Sequence, residues 1–122
     1  MTRPLKRKYG LRTLHILDEV GRERGRQDEK FPEQKLSLGT GQGQNFQTDR
    51  EYAMLFDAAR GQNDYSTKYG GPQLATWESV LREEFCEAMF EADPIKVRAE
   101  LIQVAAVAVR IVENIDKGDI VA

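Results

Sequence analysis

The sequence predicts an all-α fold: an antiparallel bundle of about four helices, assembling as a dimer or higher oligomer. Three observations predict it. Apolar residues recur at helical spacing in four segments. Stretches rich in Gly, Gln, Asn and Pro punctuate those segments at 36–48 and 61–75. The last segment is apolar nearly all round, which is more surface than a single small bundle can bury. A chain of 122 residues makes one domain, with room for one core but not two.

Composition excludes several function classes. The 18 basic and 20 acidic residues give a net charge of −2, so neither nucleic acid nor a membrane surface is an expected partner. The lone cysteine, Cys86, rules out an intrachain disulfide and fits a reducing compartment. There is no signal-peptide pattern and no apolar run of the ~18 residues a membrane span needs, so a cytoplasmic protein is expected.

In chain order, residues 1–10 form a basic arm carrying Arg3, Lys6, Arg7 and Lys8. A first helix is expected from about Leu11 to Asp28. Ile16, Val20, Glu23, Gln27 and Phe31 (or Lys30) fall on one stripe that begins apolar and ends polar. Gln27 and Phe31 thus lie where core gives way to a cavity, an amide and a ring suited to a base. His15 reads as a helix-surface residue, with no second ligand or nucleophile accompanying it. The Gly39, Gly41, Gly43 alternation is a loop and not a dinucleotide fingerprint, because no strand precedes it.

Asp49–Arg60 reads as the second helix, with Tyr52, Leu55, Phe56 and Ala59 on one face and Gly61 as its stop. A second loop follows, in which Lys68 between two tyrosines is a candidate triphosphate contact. The third helix spans Thr76–Ala92, with Trp77, Val80, Leu81, Phe85, Ala88 and Met89 facing the core and Cys86 structural. Asp93 is the N-cap of the fourth helix, Pro94–Asp116, and Gly118 ends it. The fourth helix is the expected interface of a homodimer or homotetramer.

The chemistry gathers on the last two helices. Glu84 and Glu87 stand three apart, as do Glu100 and Gln103, so each pair shares a helix face. Counted outward from the Asp93 turn, Glu87 falls level with Glu100 and Glu84 with Gln103. Three carboxylates in a shared seam raise one another's pKa unless a cation neutralises them. All-oxygen ligands point to Mg2+ or Mn2+. Solvated glutamates on an exposed face are the plain alternative. The placement of Glu100 and Gln103 inside a long apolar segment favours the site.

The run Glu83-Glu84-x-x-Glu87, twelve residues, then Glu100-x-x-Gln103 resembles the E-E-x-x-E … E-x-x-D signature of the MazG-like all-α nucleoside triphosphate pyrophosphohydrolases. The segment Glu23-Arg24-Gly25-Arg26-Gln27-Asp28-Glu29-Lys30-Phe31 is similar to the E-R-x-R-Q-D-x-K-[WF] helix of the small phage-encoded members. The resemblance covers both ends of the chain and not its middle. It implies hydrolysis of an NTP or dNTP to the monophosphate and pyrophosphate, in a host cytoplasm if the protein is phage-encoded. It implies Glu84, Glu87 and Glu100 as metal ligands, Glu83 as candidate base or extra ligand, with Glu83 and Glu84 as the catalytic pair, and Gln27, Lys30 and Phe31 in a nucleoside pocket. Arg110, one heptad after Gln103, is a further candidate for phosphate. Gln103 departs from the family's Asp: its carbonyl can still ligate a hard cation, with one negative charge fewer. A non-catalytic module that binds or sequesters a nucleotide is the second expectation.

Overall fold

The computed structural model describes residues 9–31, 35–41, 46–69 and 75–120, with the side chains of the second helix described over 50–64. Four helices account for most of them: α1 (Leu11–Lys30), α2 (Phe46–Tyr69), α3 (Trp77–Phe90) and α4 (Pro94–Lys117). No strand occurs among the described residues. The basic residues at positions 3, 6, 7 and 8 lie outside them.

The chain divides into two compact units: residues 37–108 on the one hand, and 1–36 with 109–122 on the other. In the first unit α2 and α3 form an antiparallel pair, because Asn63 meets Ser79 and Glu83 while Tyr52 meets Phe85. Ala59 of α2 and Ser79 in the first turn of α3 are both fully buried. Asn63 donates from Nδ2 to the Ser79 carbonyl (3.2 Å) and to Glu83 Oε1 (3.2 Å), and its Oδ1 lies 2.6 Å from the Ser79 hydroxyl. Ser79 is at the same time part of a capping box: its backbone N–H donates to Thr76 Oγ1 (3.0 Å) and the Thr76 N–H to Ser79 Oγ (2.9 Å). One residue therefore both starts α3 and seats α2.

This node explains a difference from the expected boundaries. Gly61 does not stop the helix, and positions 61–69, expected as loop, belong to α2, as do 46–48. A glycine inside a helix costs only ~1 kcal/mol relative to alanine. The Asn63 hydrogen bonds, made two residues later, hold the second half of α2 in register against α3. Lys68 is consequently helical, and its side chain lies outside the described ones.

The Gly-rich stretch also does more than link. Gly41, with φ +97°, donates its N–H to the carbonyl of Met89 (3.1 Å) and so satisfies one of the last carbonyls of α3. A Cβ there would lie 2.8 Å from that of Ala92. The backbone angle and the close approach both require glycine.

The turn into α4 follows the sequence. Asp93 Oδ1 accepts from the Ile95 N–H (3.0 Å), with Pro94 in the first helical position. At the far end Gly118 (φ +74°) donates to the Ile115 carbonyl and Asp119 to that of Asn114, the paired bonds of a Schellman cap.

The second unit joins α1 to the end of α4 through a hydrogen bond from the Thr13 hydroxyl to Glu113. Ile16 is the one buried residue of α1; Val20 and Phe31, on the same expected stripe, are about half exposed. In α4 the apolar side chains of Ile102 and Ile115 each remain 58 % exposed, and Leu101 and Val112 are also exposed. No helix among the described residues is long and apolar enough to cross a membrane.

Candidate metal centre

Ser79 and Glu83 meet α2 through Asn63, and Cys86, close to one turn beyond Glu83, is buried, which pushes its thiol pKa up. Glu84 and Glu87 project from the side turned to the start of α4. After the three-residue turn, Val97 buries completely and Glu100 follows one turn later on the same face. Glu84, Glu87 and Glu100 then each place a carboxylate oxygen so that the three atoms lie within 4.8 Å of one another. Glu84 and Glu100 are half-buried and Glu87 is exposed.

The electrostatics of this arrangement are adverse without a cation. One oxygen of Glu84 and one of Glu100 are buried with no hydrogen-bond partner. The Glu84 carboxyl is pushed above its ordinary range, first by burial and then by the charges of Glu87, Glu100 and Glu83. Glu87 is raised in the same way, by burial and by Glu100 and Glu83, with Arg60 acting against the rise. Removing one partner of an ordinary buried hydrogen bond leaves a cost of ~1–3 kcal/mol. Here two acceptors stand in that state side by side. A cluster of three acidic groups whose donor atoms are this close could hold a metal ion.

Glu83 is placed apart from the three. Its Oε1 accepts from Asn63, so it stands beside the cluster as a positioned carboxylate. Gln103, one turn beyond Glu100 on α4, is exposed. Four of the remaining sequence candidates, Gln27, Lys30, Phe31 and Arg110, fall on the other unit. Gln27, Lys30 and Phe31 are exposed at the end of α1; Gln27 Oε1 accepts from Arg24 (3.0 Å), and the Lys30 ammonium lies 5.3 Å from the Phe31 ring centroid. Arg110 is also exposed, on α4. His15 contributes, with Arg12, Glu19 and Asp116, to a separate cleft of about 320 Å3 in that unit.

The chain matches no protein-family model, no curated protein and no solved structure. Its chemistry has to be read from its own side chains.

Two features of the centre are not legible from spacing. Arg60 of α2 comes close enough to oppose the rise in the Glu87 pKa while also pairing with Asp64 (3.7 Å) and stacking over Phe56 (5.9 Å to the centroid). A cavity of about 330 Å3, lined by Ala53, Phe56, Asp57, Glu87, Phe90 and Glu91, opens directly beside the acidic cluster and shares Glu87 with it. Both depend on how α2 lies across α3. The available signal was the Phe56-Asp57-x-x-Arg60 spacing on a single helix face.

Proposed function

We propose that the protein is a metal-dependent nucleoside triphosphate pyrophosphohydrolase, similar to the MazG-like enzymes, acting on an NTP or dNTP. The observation that carries this reading is the convergence of Glu84, Glu87 and Glu100, two of them with buried oxygens that have no partner. A single divalent cation, Mg2+ or Mn2+, would satisfy those oxygens and neutralise the charge that raises Glu84 and Glu87. When bound, such an ion supplies Lewis-acid stabilisation of phosphate oxygens and a more acidic water.

The chain's own groups then have separable roles. Glu84, Glu87 and Glu100 are the ligands, and Gln103 is a weaker, neutral one. Glu83, oriented by the Asn63 amide, is disposed to take the proton of a water that attacks the α-phosphorus. The bond from that phosphorus to the oxygen bridging the β-phosphate breaks, and pyrophosphate leaves as the monophosphate forms. Arg60 provides positive charge near Glu87.

One observation favours a second reading. Gln103 carries no charge where the family has Asp, so the site holds three acids and not four. A site of lower charge holds a second cation less well, and the protein would then bind and sequester a nucleotide without cleaving it. Incubation with a panel of NTPs and dNTPs plus Mg2+, following pyrophosphate and bound nucleotide together, separates the two. Metal-dependent pyrophosphate release establishes the enzyme; tight binding without product at any metal concentration establishes the sequestering module. In the latter case Gln103→Asp is expected to restore cleavage.

The exposed apolar residues of α4 support assembly as a homodimer or homotetramer through this helix. Sedimentation at micromolar concentration should give at least twice the 13.9 kDa of one chain; a monomer would refute the assembly.

A further inference from the structure

We propose that the cleft between α2 and the end of α3 receives the nucleobase of the substrate and selects bases that carry an exocyclic amino group. This inference rests on the nucleotide reading above and names the class of nucleotide that the site takes. The cleft has a volume of about 330 Å3, enough for a purine or a pyrimidine, and it abuts the acidic cluster through Glu87. The cleft is thus within reach of the other end of a ligand whose phosphates engage the cluster.

The lining decides what that end is. Ala53, Phe56 and Phe90 offer an apolar wall with two phenyl rings, suited to a flat aromatic ring. Arg60 packs on Phe56 and helps to fix the plane of its ring. Among the described residues, the polar side chains in the lining besides Glu87 are Asp57 and Glu91, two carboxylates. Glu91 is held in place: its Oε1 accepts from the backbone N–H groups of Ala92 (3.0 Å) and Asp93 (3.1 Å) at the helix turn. The Glu91 carboxylate that lines the cleft is therefore a positioned acceptor.

Ionised carboxylates accept hydrogen bonds and cannot donate them. The cleft thus complements N–H groups: the amino group of cytosine or adenine, or the amino and ring N–H of guanine. Uracil and thymine present a single N–H flanked by two carbonyl oxygens, which a carboxylate repels. Discrimination here comes as much from rejecting carbonyls as from binding amines.

The test is nucleoside binding to the full chain without metal, followed by NMR chemical-shift perturbation with cytidine, adenosine, guanosine, uridine and thymidine. At least a tenfold preference for the first three is expected. Asp57→Asn and Glu91→Gln each replace an acceptor by an amide that also donates, and each should shrink the cytidine-to-uridine ratio several-fold, with circular dichroism confirming the helices. Equal binding of all five nucleosides, no binding of any, or a preference untouched by both substitutions would overturn the proposal. The triphosphate assay is read separately. Cleavage of all triphosphates without base preference sinks the cleft and leaves the hydrolase; selective nucleoside binding without triphosphate cleavage sinks the hydrolase and leaves the cleft.

Discussion

Helix α1 carries Asp18, Glu23 and Asp28, and each of these acids meets an arginine three or four residues away on the same exposed surface: Arg22, Arg26 and Arg24. In the α3–α4 hairpin Glu84 and Glu87 meet another acid, Glu100, and two oxygens of the cluster are buried without a partner. The two regions are both rich in charge, yet α1 neutralises its charges locally and the hairpin gathers like charges in one place. Exposed pairs at helical spacing contribute little and need nothing from elsewhere. A half-buried cluster of one sign is eased by a counter-charge, which Arg60 supplies to Glu87 only in part. Acids of similar number thus mark a solvated face in one helix and a candidate metal centre in the other.

The largest effect should come from breaking the hairpin's cluster. If the cluster holds a divalent cation as proposed, millimolar Mg2+ or Mn2+ should raise the melting temperature of the native chain, and Glu87→Ala or Glu100→Ala should abolish that rise together with any metal-dependent pyrophosphate release. Asp18→Asn and Glu23→Gln, made on α1, should leave the cation response intact. Differential scanning fluorimetry with and without metal checks both halves. An equal response in all four variants would place the cation elsewhere.

Next in size is the support of the hairpin. Gly41→Ala imposes a side chain at φ +97° and drives its Cβ against Ala92. Left-handed backbone costs ~1–2 kcal/mol for a residue with a Cβ, and overpacking adds a further ~1–3 kcal/mol. Urea denaturation should show a clear loss of stability. Asn63→Ala removes the hydrogen bonds that tie α2 to Ser79 and Glu83, while the Ser79 hydroxyl keeps its Thr76 partners, and should cost ~0.5–1.5 kcal/mol by the same measurement.

A subtler contrast lies in pH. Glu84 and Glu87 have folded-state pKa values above those of the unfolded chain, so the native state binds more protons in that window. The stability tied to these two groups is present below the ordinary carboxylate range and is lost as pH rises through their raised values. In chelator-treated protein, Glu100→Gln should flatten this loss, because a neighbouring charge is removed, and stabilise the metal-free chain near neutral pH. Melting curves of the two proteins across the acidic range should converge at low pH. Divergence there would break the assignment.

The smallest effect sharpens the comparison from the α1 side. Gly21 and Gly25 sit in α1 with open space where a Cβ would be, unlike Gly41. Gly21→Ala and Gly25→Ala should each stabilise by up to ~1 kcal/mol, by reducing the freedom of the unfolded chain. No change in the cation response is expected.

The helical class, the two caps of α4 and the grouping of Glu84, Glu87 and Glu100 were all legible in the sequence, whereas Thr76, read as the first residue of the third helix, is its N-cap. They depend on local rules: Asp93 before Pro94, Gly118 after the last turn, acids three apart on a helix, and a short turn that leaves two helices little choice of pairing. The extent of α2 was not legible, because Gly61 is a weak breaker and its effect is overridden by Asn63 reaching Ser79 and Glu83 across the helix pair. The same contact sets Glu83 apart from the acids beside it, although Glu83 and Glu84 are neighbours in the chain. Tertiary packing alone brought Phe56 and Asp57 to Phe90 and Glu91, and so made a cleft beside Glu87. Side chains separated by more than thirty positions meet only through the relative placement of two helices. That placement is decided by buried contacts such as Ala59 and Ser79, to which no periodicity within either helix refers.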